Sequence, residues 1–238
     1  MAYHSNLYFP EFKNHVQEMK DHGFDTILFC ITETDLLYNL IIFKEFREYA
    51  QSQGMQCWAD YWGFNGVGEA IQRKVSIGYF GWLDEVISVG FNHFMVDEPK
   101  ENVMEIFHDL NSLYANQNFH LCLSDDIFNS LADEEIKNMP VASIGVSCYM
   151  LGHAHHMKHY KRTHDIAARL SDLRPDNNFV FIQGFDLPAG FEDLPMDVKE
   201  ICESYGITNF GFWAFRANCA TGTKRPTNPE LIWGRVKF

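Results

Sequence analysis

Short apolar runs alternate with longer amphipathic stretches along the whole chain. The runs cover 25–32, 55–62, 93–99, 119–126, 143–151, 179–188 and 209–217. Each is rich in β-branched or aromatic residues, and several are continuous rather than alternating, the pattern of strands buried on both faces. Between them apolar residues recur at helical spacing: Phe12, Val16 and Met19 in 11–22, then Leu36, Leu40, Phe43 and Phe46 in 35–52. The same spacing predicts helices over 68–89, 102–115, 126–138, 156–173 and 195–205. Gly23, Gly54, Gly90 and Gly206 stand just before the next strand, where a helix C-cap belongs.

Seven strands therefore alternate strictly with helices, and 2–5 supplies an eighth ahead of the first helix. Eight βα units in about 250 residues predict an α/β fold, a (β/α)8 TIM barrel, as a single domain over 1–238. The competing plan is a doubly wound open sheet, but no GxGxxG or GxxxxGK[ST] follows any strand. No linker, repeat or low-complexity tract interrupts the pattern. Segments 64–68 and 152–156 read as loops of the active face, and 228–233 as a short closing helix.

Composition narrows the partners. The chain has 238 residues, 46% hydrophobic and 21% charged. A chain this long buries about 70–75% of its unfolded surface and needs neither disulfides nor a metal to fold. The net charge of −13 argues against a nucleic-acid backbone or an anionic membrane as partner. The expected partner is a small-molecule or oligosaccharide substrate, with no cofactor and no metal. No apolar run approaches the ~18–20 residues that span a bilayer, and the opening residues do not read as a signal peptide. None of the six cysteines forms a CxxC pair, so buried free thiols and a cytoplasmic setting are expected.

In a (β/α)8 barrel the chemistry lies at the carboxyl ends of the strands. That rule selects His4 and Asn6 at the first strand, Thr32, Glu33 and Thr34 at the second, Asp60, Tyr61 and Trp62 at the third, Asp97 and Glu98 at the fourth, and Ser124, Asp125 and Asp126 at the fifth. It adds Cys148 and Tyr149 at the sixth, Gln183 and Asp186 at the seventh, and Trp213 and Arg216 at the eighth. Asp35 and Asp126 read as helix N-caps. Asp97-Glu98-Pro99 differs, because two adjacent carboxylates close an apolar strand and a proline stops the ladder. Like charges this close raise at least one pKa, which suits a general acid near neutral pH. The alternative has Glu98 capping a helix near Asn102 and Asp97 paired with Arg216. Tyr149, Trp62 and Trp213 offer faces on which sugar rings stack, or else fill the core. The loop Gly152-His153-Ala154-His155-His156 lacks an HExxH pattern and reads as solvated rather than metal-binding. There is no GxSxG elbow, no lysine within a strand, and Cys148 has no basic partner fixed by spacing.

An eightfold βα pattern whose fourth strand ends in Asp97-Glu98-Pro99 resembles the glycoside hydrolase barrels. In their large retaining clan the fourth strand ends in Asn-Glu-Pro, so the resemblance implies that Glu98 is the acid/base. The clan's nucleophile is a Glu ending strand seven. Here 181–186 reads Phe-Ile-Gln-Gly-Phe-Asp, so that Glu is missing and only Asp186 stands in its place. The Asp-Glu pair is also similar to substrate-assisted chitinases and hexosaminidases, which implies that Asp97 orients the substrate. The expected catalytic residues are Glu98, Asp97 and Asp186. The expected substrate-binding residues are Glu33, Asp60, Tyr61, Trp62, Tyr149, Gln183, Trp213 and Arg216. Two other readings stay open. One is a metal-dependent isomerase or lyase using Glu33, Asp60, Asp97 and a histidine. The other is a barrel that binds a sugar without turning it over.

Overall fold

Every neighbouring pair in the sheet is parallel, and the spatial order of the strands is their order in sequence. The computed structural model describes residues 2–3, 9–61, 78–99, 103–149, 160–184, 187, 190–213 and 232–235. The strands are β1 (Ala2–Tyr3), β2 (Thr26–Cys30), β3 (Gln56–Tyr61), β4 (His93–Asp97), β5 (Asn118–Ser124), β6 (Ser143–Cys148), β7 (Asn178–Gln183) and β8 (Phe210–Trp213). The described helices are α1 (Phe9–Asp21), α2 (Glu33–Tyr38), α3 (Leu40–Ser52), α4 (Gly78–Ser88), α5 (Val103–Leu113), α6 (Asp125–Ser130), α7 (Asp133–Lys137), α8 (Tyr160–Leu173) and α9 (Leu194–Ser204). This is the parallel, TIM-like α/β plan expected from the sequence. Cα atoms of β1 and β8 come within 8 Å of each other, although no ladder between them is among the described pairings.

Two cores follow from strand alternation. One face of the sheet packs against the helices through residues such as Ile27, Phe29, Phe94, Val96, Leu121 and Ile182, all inaccessible to solvent. The α8 face that meets it carries Thr163, Ile166, Ala167, Leu170 and Leu173, an i, i+3, i+4 stripe. The opposite face gathers Leu28, Met95, Cys122, Phe179 and Phe181 into a second, interior cluster. Gly145 on β6 makes room there, since a Cβ would lie 2.0 Å from the Phe179 ring. Both faces being buried is why the strands read as continuous apolar runs.

Two of the expected helices are broken. The stretch 35–52 divides at Asn39, whose backbone N–H donates to Asp35 O at 2.7 Å and whose side-chain amide donates to Asp35 Oδ1 at 3.0 Å. These bonds close the last turn of α2, and the Asn39 φ of −127° then departs from helical geometry. The stretch 126–138 divides at the extended Leu131 and Ala132. Arg169 from α8 fixes that break by donating to the carbonyls of Phe128 and Leu131 and to the Asp133 carboxylate. The expected caps also shift. Thr32 caps α2, and Asp35 sits at the third helical position and closes the capping box. Ser124 caps α6, while the exposed Asp126 pairs with Arg162 at 2.6 Å. Cys30, Cys57, Cys122, Cys148 and Cys202 are free and buried as expected, and Cys219 lies outside the described residues. Among the described residues no helix is long and apolar enough to cross a membrane.

Candidate active site

The carboxyl ends of β3 and β4 bring Asp60, Asp97 and Glu98 together. Register pairs Asp60 with Met95, one step before Asp97 faces inward again. Asp60 is completely buried. Its Oδ2 accepts from Cys30 Sγ at 3.4 Å, and its Oδ1 is buried with no hydrogen-bond partner. Burial, with the neighbouring Glu98 charge adding to it, pushes its pKa up to about 7, against the thiol's opposing pull. Asp97 is raised well above the usual carboxylate range, first by burial, then by Asp60 and Glu98, while its bond to Cys122 opposes this. Burial also raises Glu98, Asp125 adds to the rise, and a hydrogen bond to Ser147 opposes it. Three interacting carboxyl groups in a desolvated site cannot all ionise, so protons are retained among them near neutral pH.

Glu98 is held by its backbone. Its N–H donates to Cys122 O at 2.8 Å, so it extends the β4–β5 ladder by one step. Its φ is +45°, the left-handed region, and it is the sole non-glycine residue there among those described. Such a conformation costs a β-carbon-bearing residue energy and is concentrated at functional positions.

A small polar network supports the trio. Ser147 Oγ, buried on β6, lies 3.4 Å from Cys122 Sγ and shares hydrogen bonds with Glu98 and Tyr149. The Tyr149 phenol is held neutral by burial and by the nearby Asp97, Cys122 and Glu98. At the start of α6, Asp125 is ion-paired to Arg162 at 2.6 Å and feeds its charge toward Glu98. Cys148 is buried, and burial pushes its thiol well above the usual range, which disfavours the reactive thiolate.

The expected residues divide clearly. Asp60, Asp97, Glu98 and Tyr149 converge. Gln183 is buried at the end of β7. The backbones of Glu33, Tyr61 and Trp213 stand at the start of α2 and the ends of β3 and β8. His4, Asn6, Trp62, Asp186 and Arg216, like the histidine loop at 152–156 and most of the closing helix, lie outside the described residues. The proposed alternative pairing of Asp97 with Arg216 falls there too. Asp125 had been placed at the end of the fifth strand, whereas Ser147, Cys30 and Arg162 had not been expected at the site. Ser147 precedes Tyr149 by two and so shares its inward face, a signal that alternation alone supplies. Among the described residues no group of three or more His, Cys, Asp or Glu side chains has the geometry to hold a metal ion.

No family model and no curated protein sequence matches the chain. Solved structures do match its fold. A Bacteroides thetaiotaomicron protein described as a candidate α-L-fucosidase superposes with a TM-score of 0.59 at 12% identity, over 98% of this chain and 89% of that one. The β-glucanase SdGluc5_26A of Saccharophagus degradans gives 0.59 at 11% identity, over 99% and 86%. The thiamine phosphate pyrophosphorylase of Pyrococcus furiosus gives 0.54 at 12% identity, over 99% and 95%. These likenesses establish the TIM-like fold, which hosts many chemistries, and glycoside hydrolases are among its bearers here.

Proposed function

We propose that the chain is a glycoside hydrolase, a single (β/α)8 domain closed by β8 against β1, acting on a neutral sugar or oligosaccharide. Closure is supported by Trp233, which packs on Phe212 of β8 at 4.7 Å and edge-on against Phe24, before β2, at 5.6 Å. The observation that carries the functional reading is the carboxyl trio Asp60, Asp97 and Glu98, with raised proton affinities at the strand ends where such barrels do chemistry.

In this reading Glu98, protonated near neutral pH, donates its proton to the glycosidic oxygen as the bond from the anomeric carbon breaks. Water supplies hydroxide to that carbon and a proton back to the carboxylates. Burial and the Asp125 charge keep Glu98 protonated, and Asp97 orients the sugar. Asp60, with one oxygen unpartnered, receives a substrate hydroxyl or the developing positive charge. Asp186 takes the place of the strand-seven carboxylate. Tyr149 presents a neutral hydroxyl to the substrate, and Glu33, Tyr61, Trp62, Gln183, Trp213 and Arg216 complete the rim. No metal or cofactor takes part.

The test is hydrolysis of a panel of nitrophenyl and natural glycosides by the unmodified chain and by Asp60→Asn, Asp97→Asn and Glu98→Gln. At least one glycoside should be cleaved, and each variant should slow it while remaining folded. Binding of a glycoside without release of products would favour a sugar-binding barrel instead.

A further inference from the structure

The opposite end of the barrel holds a cavity of about 500 Å³ that the proposed chemistry leaves unused. It enters between the amino ends of the strands and reaches the interior cluster at Leu28, Phe179 and Phe181. One wall is a flat aromatic platform. Trp58 stacks face to face on His120, ring centroids 3.7 Å apart at 8°, and His93 lies beside His120 within 14° of its plane, so the two imidazoles back one indole face and the half-exposed Trp58 offers the other.

The two imidazoles meet head-on. His93 Nδ1 is 3.0 Å from His120 Nε2 with ring centroids 5.3 Å apart, the separation of a hydrogen bond in the ring plane rather than of two ligands sharing an ion. His120 Nδ1 continues the chain to Ser143 Oγ at 2.7 Å. Burial drives His120 down to about 3 and lowers His93, so both rings are neutral near pH 7. Each neutral ring has one donor and one acceptor. The chain Ser143–His120–His93 therefore runs in either direction and leaves His93 Nε2 as donor or acceptor. A hydroxyl group, which also serves as either, is its natural complement.

Charge at the mouth selects further. Asp25, Asp176 and Glu203 line it with Lys199, which is ion-paired to Glu203 at 2.6 Å. The excess of carboxylates repels anions and excludes a phosphate ligand. Aromatic faces and a reversible hydrogen-bond chain together suit a ring bearing hydroxyl groups.

We propose that this amino-terminal cavity is a second binding site, for a neutral sugar of one or two rings, with Trp58 as its platform and His93 reading a hydroxyl. The site is independent of the carboxyl trio, and the experiment keeps the two apart. Glucose, galactose, N-acetylglucosamine and cellobiose are titrated into the ¹⁵N-labelled chain, with glucose 6-phosphate as the anionic comparison. At least one neutral sugar should bind with a dissociation constant on the order of 1 mM. It should move the Trp58 indole N–H and the Ser143 and Asn178 amide signals. The same shifts should appear in Glu98→Gln. They should weaken roughly tenfold or more in Ala142→Trp, which places a bulky group at an exposed position of the mouth without entering the packed interior. Glucose 6-phosphate should bind more weakly than glucose. The proposal is overturned if none of the neutral sugars moves these signals, if binding is lost in Glu98→Gln but kept in Ala142→Trp, or if the phosphate ester binds more tightly.

Discussion

Cys30 Sγ reaches Asp60 Oδ2 at 3.4 Å across β2 and β3, while the other Asp60 oxygen is buried with no partner. The donating thiol favours the carboxylate, but burial outweighs it and the carboxyl keeps its proton. The sign of the stability effect follows. Asp60 holds its proton up to about 7 in the folded chain, against 3.8 for an unperturbed aspartate. Between those values the folded state binds more protons than the unfolded state, so stability falls as pH rises. The contribution is fully present below the unfolded value and lost as pH passes the folded one. Asp60→Asn, neutral at every pH, should flatten this fall. Urea denaturation at several pH values across that interval measures it; an unchanged slope would show that Asp60 ionises as it does in the unfolded chain.

Ser147 stabilises the ionised form of Glu98 by hydrogen bonding. Ser147→Ala removes that support and raises the Glu98 proton affinity further. A general acid loses activity as pH rises through its own pKa. The alkaline limb of the pH–rate profile should therefore move to higher pH in Ser147→Ala and return in Ser147→Thr. A limb that stays in place would separate Ser147 from Glu98.

Glu98 carries a φ of +45°. A left-handed residue with a Cβ costs roughly 1–2 kcal/mol more than glycine. Glu98→Gly should thus be more stable than Glu98→Ala by about 1 kcal/mol, although glycine usually loses that comparison. Neither variant should retain acid-assisted turnover. Equal or reversed stabilities would mean that the backbone at this position is unstrained.

Gly145 lets the Phe179 ring cross the barrel interior, where an added Cβ would sit 2.0 Å from Cε2. Gly145→Ala should cost about 1–3 kcal/mol through overpacking. Gly145→Ala combined with Phe179→Leu should recover part of that loss. Additive losses would place the ring elsewhere.

The parallel, TIM-like plan was legible because its strands are buried on both faces and stand out as apolar runs. The break at Leu131 was not, because Arg169, which holds it, comes from another helix. At the site, Asp97, Glu98 and Asp60 were found because strand ends carry the chemistry. Cys30 was missed because its pairing with Asp60 depends on the β2–β3 register, which no local pattern encodes. Asp125 was placed at a strand end, but its influence on Glu98 was not legible because its charge acts through space, from the first turn of α6.

The central claim is that Glu98 delivers a proton to a glycosidic oxygen, and the most direct measurement is the leaving-group dependence of turnover in Glu98→Gln. That variant keeps the shape of the side chain but has no proton to transfer. Turnover of glycosides with poor leaving groups should fall by ~10²–10⁴-fold with little change in melting temperature, and nitrophenyl glycosides should lose far less. Equal turnover of every cleaved glycoside in Glu98→Gln and the unmodified chain, accompanied by lost stability, would make Glu98 a structural residue and contradict the assignment.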